Sequence, residues 1–236
     1  MDENVVQSQS QMEKVMKLDG NLIMVQNVRC AYPNLTKPSR PDAYPNSPLM
    51  FSLDMIIPNT DAVVAETTAM IQQLAADKWK DAVVYQLGEI ASNKKARSYG
   101  PSEEKVDKMG VRKADIFPDG HCIVTAKGKE EEPPALIDSQ GKSLDFVRNN
   151  NEWMDIAKSI YAGCRVNCIF RPWLRLANPG VSFTLVAVQF AGDAEKFASV
   201  SAPNVDGMFG AVAGPAPVMG SFTPPPAAGD VPDFMK

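Results

Sequence analysis

Arg165, Asn167, Arg171, Trp173 and Arg175 fall at alternate positions of one apolar-rich run, with Ile169 the only aliphatic residue sharing their parity. Side chains on a strand point to opposite faces in turn. These residues therefore share one face, while Cys164, Val166, Cys168, Phe170, Leu174 and Leu176 share the other and read as core. Guanidinium groups neutralise and hydrogen-bond phosphates, and an indole stacks on an unpaired base for roughly 1–3 kcal/mol. An arginine-rich face carrying an indole thus suits single-stranded nucleic acid. A solvated sheet whose arginines pair with Asp or Glu, and whose indole covers a barrel end, presents the same residues. Pro172 interrupts the run, and because it cannot donate to a ladder it predicts an edge or a bulge.

Other candidates are less specific. Lys94, Lys95, Arg97 and Tyr99 form a basic, aromatic-containing segment that suits phosphate contact or simply a solvated loop. Lys127 and Lys129 flank Gly128 just after an expected strand. Tyr32 and Tyr44 stand in a proline-rich stretch, where each can stack on a base or pack.

Catalysis is poorly provided for. His121 is the only histidine, and adjacent Cys122 would point to the opposite face of a strand. Cys164 and Cys168 are too far apart along a strand to share a metal without bending, and Cys30 could join them only through the fold. No glycine-rich phosphate loop of the P-loop type occurs, and Glu103-Glu104 and Glu130-Glu131-Glu132 read as solvated loop charges. The expectation is a binding protein without catalysis, metal or cofactor.

The elements that must position these residues follow from the whole chain. With 236 residues, 44% hydrophobic and 22% charged, it can build one good core with tails. A net charge of −4 argues against a polyanionic ligand on average. Local potential decides such binding, however, and Lys94–Lys113 and Arg165–Arg175 are locally basic. Four scattered cysteines suggest free thiols in a reducing compartment. Apolar runs fall well short of the ~20 residues a membrane span needs, and Met1-Asp2-Glu3-Asn4 opens no export signal. A soluble, cytoplasmic protein is expected.

Residues 1–20 are polar and Gln/Ser-containing, an expected flexible leader. Strands are predicted at Leu22–Val25 with Val28, and at Leu49–Ile57, where Leu49, Phe51, Leu53, Met55 and Ile57 alternate with Ser52 and Asp54. A proline-rich loop is expected between them, from Pro33 to Pro48. Thr60 suits an N-cap for a helix to about Lys80, and a second helical piece spans Asp81 to Ala91. A long basic excursion runs from Asn93 to Asp119. Further strands are predicted at His121–Ala126, Ala135–Asp138, Gly163–Leu176 and Val181–Phe190, the last two joined by Asn178-Pro179-Gly180. Such a chain is mainly β and suits a small Greek-key barrel, with a helical insertion at about 59–119. From Phe197 the composition turns to Ala, Gly, Pro, Ser and Val, so 198–236 is an expected disordered tail.

The order of several strings resembles bacteriophage-encoded single-stranded DNA-binding proteins: Ala31-Tyr32-Pro33-Asn34-Leu35, Ile56-Ile57-Pro58, Phe117-Pro118-Asp119-Gly120, Tyr161-Ala162-Gly163-Cys164-Arg165-Val166-Asn167 and Val188-Gln189-Phe190. The resemblance covers Asn21 to Phe197 and implies an OB-fold domain over 21–197, with single-stranded DNA held across the barrel in phage replication, recombination or repair. Asp230-Val231-Pro232-Asp233-Phe234 is similar to the acidic tip of bacterial single-stranded DNA-binding proteins. That likeness implies docking of replication or recombination partners, the carboxylates giving charge complementarity and Phe234 the anchor. The tip departs from the pattern, since Asp233 separates Pro232 from Phe234 and Met235-Lys236 follow. Self-association through barrel edges is open, and the other reading is a phage structural or assembly protein that uses the barrel for protein contacts only.

Overall fold

In the computed structural model, which describes residues 17–18, 21–40, 45–107 and 109–197, the chain opens with β1 (Lys17–Leu18), β2 (Leu22–Ser39) and β3 (Met50–Pro58). Two helices follow, α1 (Ala62–Trp79) and α2 (Val83–Ser92), and then β4 (Tyr99–Pro101), β5 (His121–Lys129), β6 (Ala135–Ile137) and β7 (Ser143–Leu144). Helix α3 (Asn150–Ser159) precedes the hairpin of β8 (Arg165–Arg175) and β9 (Gly180–Gly192). Most of the expected leader, Tyr44 and the tail from 198, with its Asp230–Phe234 tip, lie outside the described residues.

Five strands close a barrel. β2 pairs antiparallel with β3, β3 with β5, and β8 with both β2 and β9. The circuit is completed by parallel pairing of β9 with β5 at Ala126↔Phe183 and Lys127↔Thr184. The order β2-β3-β5-β9-β8 back to β2 is that of the five-stranded OB barrel. α1, α2 and β4 fall between its second and third strands, as expected of the insertion. Phe51, Leu53, Met55 and Ile57 of β3 meet Val166, Cys168 and Phe170 of β8 in one core, as alternation predicts. Asp54 and Ile56 on the other face are buried too, so this part of β3 is covered on both sides rather than half-buried.

Several expectations change. The stretch from Pro33 to Ser39 belongs to β2 rather than to a loop. Its pairing with β3 runs Ala31↔Asp54, Asn34↔Ser52 and Ser39↔Met50, with irregularities between them, so neither Pro33 nor Pro38 sits at a paired position. Asp61, not Thr60, caps α1: its backbone is extended and its carboxylate accepts from Val63 N at 2.8 Å. Lys127 and Lys129 stand within β5, not after it. Leu176 is not core; it lies beyond β8 and is 56% exposed. Helix α3 had no counterpart in the expectations, although Trp153, Ala157 and Ile160 recur at helical spacing. Its Trp153 is fully buried, with ring centroids 5.6 Å from Phe51 and 4.9 Å from Phe146, and its indole N–H donates to Pro134 O.

Candidate nucleic-acid interface

The parity of β8 holds across Pro172. Val166, Cys168, Phe170 and Pro172 are buried, whereas Arg171 and Trp173 are exposed. Pro172 is accommodated because the pairing of β8 with β2 ends at Ile23↔Phe170, leaving β9 as its only strand partner there among the described residues. The register then lays out a row across the outside of the barrel. Asn34 of β2 pairs with Ser52 of β3, Ser52 with Lys127 of β5, Lys127 with Thr184 of β9, and Thr184 with Arg171 of β8. Two exposed cations thus flank a small hydroxyl side chain, and Trp173, 45% exposed, follows opposite Ser182. Ser182 and Thr184 alternate with buried Val181, Phe183 and Leu185. The parity of β9, like that of β8, singles them out in the sequence.

Other candidates have structural duties. Arg175 Nη2 donates to Ala96 O at 2.7 Å and Lys95 O at 3.3 Å, clamping the turn at Lys94–Ala96 against the hairpin. Gly180 permits this approach, since a Cβ there would collide with Arg175 and Ala96 O. Lys94 and Lys95 are thereby held near the hairpin end and stay exposed, Lys94 lying 3.9 Å from Glu104. Arg97 bridges to Val181 at the seam between β5 and β9, and its guanidinium donates to both Glu104 oxygens at 2.9 and 2.8 Å and to Tyr99 O. Tyr99 packs edge-on against Phe183 at 5.9 Å, and burial pushes its phenol above the ordinary range.

Asn167 accepts from Asn27 N at 2.8 Å and donates to Gln189 Oε1 at 2.8 Å. Arg165 donates to Asn27 O, so the two residues hold the irregularity of β2 between Val25 and Val28. Tyr32 packs against Phe117, receives a hydrogen bond from Lys113 Nζ at 3.0 Å and lies outside the Asn34–Arg171 row. Lys129 is exposed opposite Met50, two residues beyond Lys127.

Arg97 therefore supports the seam. Its side chain is 9% exposed, and Arg97→Ala would leave Glu104, among the described residues, with only the distant Lys94 as an ion-pair partner. The expected cost is about 2–4 kcal/mol of stability in urea unfolding, discounted for the partial exposure of Glu104, with little change in the ligand affinity of the folded fraction.

Cys30, Cys164 and Cys168 are core, and Cys122 is half-buried against it. Cys30 and Cys164 place their sulfurs 3.6 Å apart, and the hydrogen bond between them, with burial, raises the Cys30 thiol well above its ordinary range. Burial does the same for Cys168.

Strand order, insertion and open outer face together define an OB-type barrel with an elaborated connection between its second and third strands. The family model described as Enterobacter phage Enc34, ssDNA-binding protein, matches residues 21–212, and the chain belongs to that family. The barrel is similar to the single-stranded DNA-binding protein from bacteriophage Enc34 in complex with ssDNA, with a TM-score of 0.57 and 20% identity over 80% of this chain and 99% of that one. Another structure of the Enc34 protein gives a TM-score of 0.55 at 22% identity, covering 84% of this chain and 100% of that one. No curated protein matches the sequence. Among the described residues no helix is long and apolar enough to cross a membrane.

Proposed function

We propose that this chain binds single-stranded DNA with little regard to sequence and without catalysis, and that it protects the strand during phage DNA replication, recombination or repair in the host cytoplasm. The observation that carries the reading is the row ending in Lys127, Thr184 and Arg171, with exposed Trp173 beside it. The cations neutralise phosphates, and the hydroxyl-bearing residues leave room for a backbone. An indole stacks on any base because every base has a π-face. Loops at this end of an OB barrel commonly close over oligonucleotides. The family's name and the DNA complex of the Enc34 protein agree with this reading.

The tail carries a second part of the proposal. Asp230, Asp233 and Phe234 form a weakly acidic tip with an aromatic anchor that recruits a replication or recombination protein. A pull-down from infected cells with and without residues 230–236 tests this separately.

A gel-shift assay with single- and double-stranded oligonucleotides tests the main reading against a structural role confined to protein contacts. A shift with the single strand supports it, and no shift with either refutes it. Arg171→Ala should flatten the log-log dependence of affinity on salt by about 0.7, one phosphate contact on a single strand. An unchanged slope would remove Arg171 from the track.

A further inference from the structure

The same outer face carries a second cationic feature at its other end. Arg165 stands six residues from Arg171 along β8, about 20 Å at the usual rise per residue. Directly opposite Arg165 on β2 is Arg29, and beyond β2 the face continues through Ile56 of β3 to the start of β5 at His121. These residues, with Asn27, Pro118 and Phe197, line a cavity of about 320 Å³. That volume is at the small end of the ~300–1,000 Å³ typical of ligand pockets, enough for one phosphate with its sugar or base and too small for a duplex.

One donor in this cavity, Arg29 Nε, has no acceptor among the described residues. Arg29 Nη2 donates to Glu195 O, and its guanidinium lies 4.5 Å from the centroid of Phe197. Its Nε is buried with no hydrogen-bond partner among the described residues. Among the described residues the Arg165 side chain makes one hydrogen bond, to Asn27 O at 2.9 Å. A guanidinium offers five N–H donors, so both arginines retain capacity. Among the described residues no carboxylate lines the cavity, and nearby Asp119 is paired with Arg112. The buried Nε of Arg29 is left without an acceptor, a cost that an anion in the cavity would relieve.

The wall carrying Phe197 is held in place. Phe197 N donates to Ala162 O at 3.1 Å, and Tyr161 Oη donates to Asp193 Oδ1 at 3.0 Å. Gly163, at φ +105, lets this segment approach, because a Cβ there would strike the backbone of residues 195–197.

We infer that the Arg29–Arg165–His121 cavity is a phosphate-binding pocket that takes one phosphate of the DNA strand, distinct from the Lys127–Arg171 row. The strand part of this inference rests on the proposed DNA binding; the affinity for phosphate does not. His121 is the chain's only histidine, so its imidazole Cε1–H resonance reports on the cavity alone.

In the full chain at fixed pH, sodium phosphate should move that resonance saturably, and sodium chloride at equal ionic strength should not. Oligo-dT should move it as well. Arg165→Gln should weaken the phosphate response at least about tenfold, as loss of a charge-assisted hydrogen bond predicts. Arg29→Gln gives an independent variant should the first unfold. No response to phosphate, while oligo-dT still quenches tryptophan fluorescence, overturns the pocket and leaves the DNA reading intact. A response to phosphate but not to oligo-dT overturns the strand assignment and makes the pocket a site for a free phosphate compound.

Discussion

Replacing Trp173 with alanine should weaken oligo-dT binding by about 5- to 150-fold while changing the unfolding free energy by less than ~1 kcal/mol. The affinity estimate is the stacking energy of one base, because Trp173 is the indole on the outer face of β8 beside Arg171. The stability estimate follows from its exposure and from its place opposite Ser182, where truncation opens no core cavity. Fluorescence anisotropy with labelled oligo-dT and a urea titration read the two quantities independently. Equal affinity in variant and wild type would mean that DNA, if bound, takes another route.

Phe170→Ala should do the reverse. Phe170 is fully buried three residues earlier on the same strand, with its ring 5.6 Å from that of Phe183. Truncation should cost about 3–5 kcal/mol, the transfer energy of the ring plus that of the cavity left behind. In a domain stabilised by ~5–15 kcal/mol this lowers the unfolding midpoint markedly. The fraction still folded should bind oligo-dT nearly as the wild type does. If both variants lose stability equally, or both lose affinity equally, the division of β8 into a core face and an open face is wrong.

The two faces of β8 were legible in the sequence because strand parity is a local property that needs no partner. β3 and α1 were legible for the same reason, each carrying most of a period of its own. What a strand meets across the barrel is not local. Nothing near Arg97 or Arg175 in the chain announces that Arg97 sits at the seam beside Val181, or that Arg175 clamps the carbonyls of residues 95 and 96. The basic run at Lys94–Tyr99 thus divides into a supporting residue, Arg97, and open ones, Lys94 and Lys95, while Arg175 of the β8 face also takes a supporting role. Asn167 likewise has the parity of a contact residue but is occupied by Asn27 and Gln189.

Other differences have local causes that propensity obscured. Pro33 and Pro38 made the second half of β2 read as a loop, yet both fall where the ladder is irregular and needs no N–H from them. The Asn149-Asn150-Asn151 run hid the start of α3, whose apolar face begins only at Trp153. The cation-to-cation row from Lys127 through Thr184 to Arg171 required three strands in register, and the parallel contact of β5 with β9 that joins them is two residue pairs long.

A tryptophan-fluorescence titration with oligo-dT at several salt concentrations tests the central claim most directly. Trp153 is buried and Trp79 half-buried, so quenching should come from Trp173 and be lost in Trp173→Ala. We expect quenching whose affinity falls linearly with salt on a log-log plot, with a slope near −0.7 for each phosphate contact. Absent quenching together with absent binding, or binding indifferent to salt, would contradict the assignment of this barrel face to single-stranded DNA.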